Sequence, residues 1–127
     1  MTIAISPVQK RILLDHEKLT VYQLAIEFVV LADVIIEHLP RGRAYLSDQL
    51  QRAGLSIPLN IAEGAGEYSI DEKARFYRMA KRSATECAGV LDVCLRLRLI
   101  DENRYIKGRE LLIGIVSMLI KMVQKQR

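Results

Sequence analysis

Four long stretches of the chain carry apolar residues at the three- and four-residue spacing of an α-helix. No run alternates apolar and polar residues with the period of two that a β-strand requires. The spacing predicts helices over residues 20–39, from 43 or 45 to 63, over 69–97 and from 101 onward. Because the breaks between them are short, we expect an all-α, antiparallel up-down-up-down four-helix bundle over residues 19–127. Residues 1–18 form an N-terminal extension, in which Val8, Ile12 and Leu13 either make one amphipathic turn or become ordered only against a partner.

Capping residues mark the predicted helix boundaries. The N-terminal caps are Thr20 with Gln23, Ser69 with Glu72, and Asp101 alone. Gly64 follows the second helix and suits the left-handed position after a helix end, where a glycine has no Cβ to clash.

Pro58 falls inside the second predicted helix, where it has no amide proton to donate and its ring crowds the carbonyl of Gly54. A kink in one helix is the first interpretation. In the second, Ser56 caps a new helix that carries Pro58 in its first turn. The sequence leaves both interpretations open.

The first and fourth predicted helices are apolar on more than one face. Beside its main stripe of Val21, Leu24, Phe28, Leu31 and Ile35, the first helix carries Tyr22, Ile26, Val29, Val30 and Ile36. The fourth helix has a main stripe of Tyr105, Leu112, Ile115, Val116, Leu119, Met122 and Val123, and off it lie Leu111, Ile113, Met118 and Ile120. A bundle of this size cannot bury both sets within itself, so we expect a homo-oligomer that buries the remainder between subunits.

The composition fits one packed domain and offers little material for catalysis. Of the 127 residues, 50% are hydrophobic and 27% charged, which excludes disordered, collagen-like and disulfide-scaffold classes. With only two cysteines and two histidines, the Cys-His machinery of most cysteine enzymes is poorly supplied. Cys87 and Cys94 are seven residues apart, about 10 Å along a helix, so a disulfide between them is excluded and both are expected to be reduced core residues.

Charge is distributed unevenly along the chain. Residues 1–71 carry 6 Lys and Arg against 9 Asp and Glu, whereas residues 72–127 carry 13 against 6. The halves therefore have net charges of −3 and +7, and the basic half favours either an anionic partner such as nucleic acid or an ordinary solvated helix face. We expect a cytoplasmic protein, because no signal peptide is visible and carboxylates interrupt the apolar stretch from Val21 to Leu39.

A polar stripe runs along the second predicted helix between two apolar rows. Its members are Gln49, Arg52, Ser56, Asn60 and Glu63. Polar side chains in such a position need hydrogen-bond partners, and the third helix offers Ser83 and Glu86. We expect Arg52 to pair with Glu86 or Glu63, with Asn60 and Ser83 completing the network. The network either fixes the register of the two helices or belongs to a nucleic-acid or ligand site.

The segment Ser56-Ile57-Pro58-Leu59-Asn60-Ile61-Ala62-Glu63-Gly64, followed by Ala80-Lys81-Arg82-Ser83-Ala84-Thr85-Glu86, resembles the intervening-sequence protein family of bacteria, from about Leu19 to the C-terminus. The resemblance implies a four-helix bundle that assembles into a ring-like homopentamer. A related branch is similar to the accessory variability protein of diversity-generating retroelements, which implies nucleic-acid binding and a reverse transcriptase as partner. Arg82 stands where the family often has glycine, so we expect its side chain to turn outward.

A basic stripe on the third predicted helix provides the candidate nucleic-acid contacts. It consists of Arg75, Arg78, Lys81 and Arg82, and Arg41, Arg43, Lys107 and Arg109 are expected to extend it. Tyr77 lies beside the stripe and either stacks on a base or belongs to the core. The competing hypothesis is a protein-protein scaffold or adaptor that binds no nucleic acid.

Enzymatic activity, a metal and a cofactor are not expected. Glu63 and Glu86 form a candidate pair of carboxylates, but no histidine follows a glutamate at the Glu-x-x-His spacing of di-metal bundles. The turn at Gly64-Ala65-Gly66 lacks the Gly-Lys-Ser/Thr ending of a phosphate-binding loop and follows a helix rather than a strand.

Overall fold

The computed structural model describes residues 13–125, and within them it contains four α-helices and no strand. The helices are α1 (Thr20–Glu37), α2 (Ala44–Ala65), α3 (Ile70–Arg96) and α4 (Glu102–Lys125), preceded by a 3₁₀ turn at Asp15–Lys18 that contacts α1 and α2. The predicted all-α four-helix class is confirmed. Val8 and Ile12 of the predicted N-terminal turn lie outside the described residues.

Two of the three predicted helix caps are confirmed. The Ser69 hydroxyl accepts a hydrogen bond from the Glu72 amide at 3.3 Å, and the Asp101 carboxylate accepts one from the Arg104 amide at 2.8 Å. The cap predicted at Thr20 is wrong, because Leu19 holds the cap position in an extended conformation and Thr20 is already the first helical residue. A side chain inside the first turn is not placed to accept from the amides that follow it.

Helix α2 is continuous from Ala44 to Ala65 with Pro58 buried inside it, so the alternative in which Ser56 caps a new helix is wrong. The prediction that Gly64 follows the helix end is wrong, since α2 continues through Gly64 to Ala65 and Gly66 caps it with φ of −85°. Gly64 is required for close packing instead. An ideal Cβ at this position would lie 2.6 Å from the Cε1 atom of Tyr77.

Each helix lies beside two others, in the order α1, α2, α3, α4 and back to α1, and within the described residues no Cα atoms of the diagonal pairs α1–α3 and α2–α4 come within 8 Å of each other. The core lies between the four helices. Its largest fully buried side chains are Phe28, Ile35, Leu50, Ile57, Ile61, Cys87, Leu91, Cys94, Ile115 and Leu119.

The apolar side chains that lie beside the main stripes of the first and fourth helices are partly buried. Leu111 belongs to the core, whereas Val30, Ile113 and Ile120 are exposed. Within the described part of the chain, no helix is both long enough and apolar enough to cross a membrane.

Helices α2 and α3 run in opposite directions. Near the start of α2, Gln49 donates to the Glu86 carboxylate at 3.2 Å, and near its end the Gly64 carbonyl accepts a hydrogen bond from Lys73 Nζ at 2.9 Å. The N-terminal half of α3 therefore lies beside the C-terminal half of α2.

Candidate nucleic-acid interface

A small polar cluster joins α2 to α3 near Pro58. The Asn60 side-chain amide donates to the carbonyl oxygen of Ser56 at 2.9 Å and to its hydroxyl at 2.8 Å. The Ser83 hydroxyl donates to the same Ser56 Oγ at 2.9 Å. These three members of the predicted network are brought together, half-buried or buried, and the hydrogen bond between Ser83 and Ser56 links the two helices.

The charged members of the predicted network are not part of this cluster. Arg52, Glu63 and Glu86 are exposed, and in residues 13–125 Arg52 forms no ion pair with either glutamate. The predicted pairing is therefore wrong. At about 100° per residue, Arg52 lies about 80° around α2 from Asn60, on the solvent side. Water solvates its charge there, which a buried position would not allow without a partner.

The basic stripe lies on the exposed side of the N-terminal half of α3. Residues 73–82 contain five basic residues and no acidic one. Arg78, Lys81 and Arg82 are all exposed and form no ion pair within the described part of the chain. The outward orientation expected for Arg82 is confirmed. These three cations are available to an anionic partner.

Arg75 is less available than its three neighbours. Its guanidinium forms an ion pair with the Glu72 carboxylate at 2.9 Å and lies 4.5 Å from the centre of the Phe76 ring. The hydrogen bond between the two side chains lowers the pKa of Glu72 and raises that of Arg75. The charge of Arg75 is therefore already partly compensated within α3.

Two residues near the stripe have structural roles. Tyr77 is only 3% exposed and packs over Gly64. The prediction that its ring stacks on a base is therefore wrong, and the alternative prediction that it belongs to the core is confirmed. Burial raises the pKa of its hydroxyl. Lys73, which the sequence analysis missed, donates to the carbonyls of Gly64 and Ala65 at the end of α2. A lysine shortly after a helix end is the signal that predicts such a contact.

The other four predicted contact residues do not continue the basic stripe of α3. Arg41 and Arg43 precede α2, whose first turns lie beside the C-terminal half of α3, at the far end from the stripe. Arg109 pairs with Asp92 at 3.7 Å. Lys107 lies about 200° around α4 from Arg109, so the two face different sides. The prediction of one continuous basic patch is therefore wrong, because these side chains occupy separate faces and ends of the bundle.

Both cysteine thiols are buried and form no disulfide. Burial, with a smaller contribution from the charge of Glu86, raises the pKa of Cys87 to about 12. A thiol with such a pKa is protonated at neutral pH and is a poor nucleophile. Among residues 13–125, no group of three or more His, Cys, Asp or Glu side chains is placed to hold a metal ion.

The fold and the exposed basic helix define a small all-α protein of four packed helices. The sequence profile of the family described as 23S rRNA-intervening sequence protein matches residues 17–121, and the chain belongs to that family. A solved structure from Bacteroides thetaiotaomicron, described as a protein with unknown function from the S23 ribosomal protein family, is similar with a TM-score of 0.76 and 24% identity. The similarity covers 82% of this chain and 98% of that one, and it supports the fold. No curated protein matches the chain.

Proposed function

We propose that the protein is a non-enzymatic, cytoplasmic nucleic-acid-binding accessory protein. It acts as a homopentamer of antiparallel up-down-up-down bundles and assists a reverse transcriptase or another RNA process. The observation that carries the proposal is the set of exposed, unpaired cations Arg78, Lys81 and Arg82 on one side of α3. Membership in a family named for intervening sequences of ribosomal RNA genes agrees with a nucleic-acid partner.

Three phosphate contacts per subunit predict how steeply the binding affinity falls as the salt concentration rises. Each contact contributes a slope of about −0.9 to log K against log salt for duplex DNA and about −0.7 for a single strand. A fourfold rise in salt therefore weakens binding by one subunit about 40-fold for a duplex and about 20-fold for a single strand. Repetition of the stripe around a pentamer increases the apparent affinity through avidity.

Fluorescence anisotropy with structured RNA, single-stranded DNA and duplex DNA at 50 and 200 mM salt tests the proposal. The test variant is Arg78→Glu/Lys81→Glu/Arg82→Glu. The matched control, Arg96→Glu/Arg98→Glu/Lys107→Glu, changes the net charge equally at the other end of α3 and on α4. We expect the α3 variant to lose at least tenfold more affinity than the control, with the oligomeric mass unchanged. Equal losses, or binding that salt does not weaken, would contradict the proposal.

The second candidate function is a protein-protein scaffold without nucleic-acid binding. The exposed apolar side chains on α1, α2 and α4 favour it, because monomeric proteins rarely expose contiguous apolar surface without a partner. A well-formed oligomer that binds none of the three nucleic acids would support this candidate.

A further inference from the structure

The guanidinium group of Arg75 is held in place by three neighbours on α3. Its Nε and Nη2 atoms donate to the two carboxylate oxygens of Glu72, at 3.1 and 2.9 Å, and Nη1 lies 3.5 Å from the sulfur of Met79. The Cζ atom lies 4.5 Å from the centre of the Phe76 ring, over which the group is placed. Arg75 therefore presents an oriented planar group rather than a freely moving charge.

One face of this guanidinium group remains open. The N–H bonds of a guanidinium lie in its plane, so Glu72 and Met79 occupy the edge of the group and neither covers a face. Phe76 lies against one face, and the Arg75 side chain is still 50% exposed. The face turned away from Phe76, the stacking face, is therefore accessible to a planar group from solution.

The charges around Arg75 favour a neutral planar ligand over a phosphate. The hydrogen bond with Glu72 raises the pKa of Arg75, and the negative charges of Glu72 and Glu67 raise it further. Two carboxylates near the guanidinium repel a phosphate that approaches it. A nucleobase is planar and uncharged, and bases of single-stranded nucleic acids stack on the guanidinium planes of arginines.

Two cations of the basic stripe lie on the same side of α3 as the stacking face. Arg78 and Arg82 follow Arg75 by three and seven residues, about 4.5 and 10.5 Å along the helix axis and within about 60° around it. Both are exposed, and neither forms an ion pair in residues 13–125. A base on the stacking face therefore brings the adjoining phosphates of its strand beside two uncompensated cations.

We propose that Arg75 stacks on an unpaired base, and that this contact strengthens binding to single strands but not to duplexes. The inference rests on the proposed function, because Arg78, Lys81 and Arg82 supply the phosphate contacts. In a duplex each base is already paired and stacked on its neighbours, so only a single strand offers a free base to the stacking face. The bases of RNA and DNA both have the required planar ring, so both single strands are expected to bind.

The variant Arg75→Lys tests the stacking contact. Lysine keeps the positive charge at an exposed position but has no planar group. Stacking on one base is worth about 5- to 150-fold in affinity, so single-stranded RNA and single-stranded DNA should each bind at least about fivefold more weakly. Duplex DNA should bind the variant within about twofold of the wild type, because the charge is unchanged. The matched control is Arg82→Lys, which should keep the affinity for all three within about twofold, because lysine also binds phosphate.

An abasic single strand separates stacking from phosphate contact. It carries the phosphates without the bases, so wild type and Arg75→Lys should bind it equally in fluorescence anisotropy at one salt concentration. Unchanged affinity for both base-containing single strands, or an equal loss with the abasic strand and the duplex, would overturn this inference and leave the proposed function standing. A loss with RNA alone or with DNA alone would support stacking and identify the strand. A wild type that binds none of these nucleic acids would overturn the proposed function, and this inference with it.

Discussion

Replacement of Gly64 by alanine should destabilise the protein even though alanine is the better helix former. The ideal Cβ of residue 64 lies 2.6 Å and 2.9 Å from two carbons of the Tyr77 ring and 3.2 Å from Phe76 Cβ. Such approaches require the ring or the helix backbone to move. The ring has little room, because Tyr77 is buried in the core between α2 and α3.

Two opposing terms decide the size of the effect. Alanine in a helix interior is favoured over glycine by about 1 kcal/mol. Forcing extra volume into a packed core costs about 1 to 3 kcal/mol. The methyl group meets a buried ring rather than the end of a flexible side chain, so we expect the upper part of that range. The net loss in the free energy of unfolding is then about 1 to 2 kcal/mol.

Gly89→Ala is the matched control. Gly89 is an exposed residue within α3, and an added Cβ would meet no atom within 4 Å. The helix-propensity term acts alone there, and we expect a gain of about 0.5 to 1 kcal/mol. Urea unfolding followed by circular dichroism, at one protein concentration for all variants, measures both changes. A Gly64→Ala protein as stable as the wild type, or shifted in the same direction as Gly89→Ala, would refute the packing argument.

Three further predictions follow from the contacts described. Glu86→Ala should change the free energy of unfolding by less than about 0.5 kcal/mol, because the carboxylate is exposed. Ser83→Ala should lower the free energy of unfolding by about 1 kcal/mol, because it removes a part-buried hydrogen bond. Equal effects of the two variants in urea unfolding would contradict the difference in burial. Cys87 should resist alkylation at pH 8 in the folded protein and react once urea unfolds it, and rapid labelling of the native protein would show that it is not buried. NMR titration should place the pKa of Glu72 below 4.5 and return it toward that value in Arg75→Gln. Because the folded pKa is lowered, the stabilising contact is present above the unfolded pKa and is lost as the pH falls through the folded value.

Features governed by neighbouring residues in the sequence were predicted well. Ser69 and Asp101 cap their helices because a cap needs only a side-chain acceptor and the amides that follow it within one turn. The four helices were predicted from the same kind of local periodicity. One contact between helices was also predicted: Ser56 and Asn60 meet Ser83, since polar residues on an apolar side of a helix need partners from the next one.

Three other features, which also depend on how the helices face one another, were not predicted. Gly64 has the sequence context of a helix end, and only the position of the Tyr77 ring shows why a glycine is needed within the helix. Arg52 falls in a polar stripe, but a rotation of tens of degrees around α2 separates a solvated side chain from a buried one. Arg109 and the stripe on α3 are all basic, yet composition does not reveal that Asp92 compensates Arg109.

The salt dependence of binding counts the subunits that engage one duplex. Three contacts by a single subunit, through Arg78, Lys81 and Arg82, give a slope of log K against log salt of about −2.7 on duplex DNA. An assembled protein that engages the same duplex through two subunits should show about twice that slope. A slope of about −2.7 from an assembled protein would mean that only one subunit contacts the duplex.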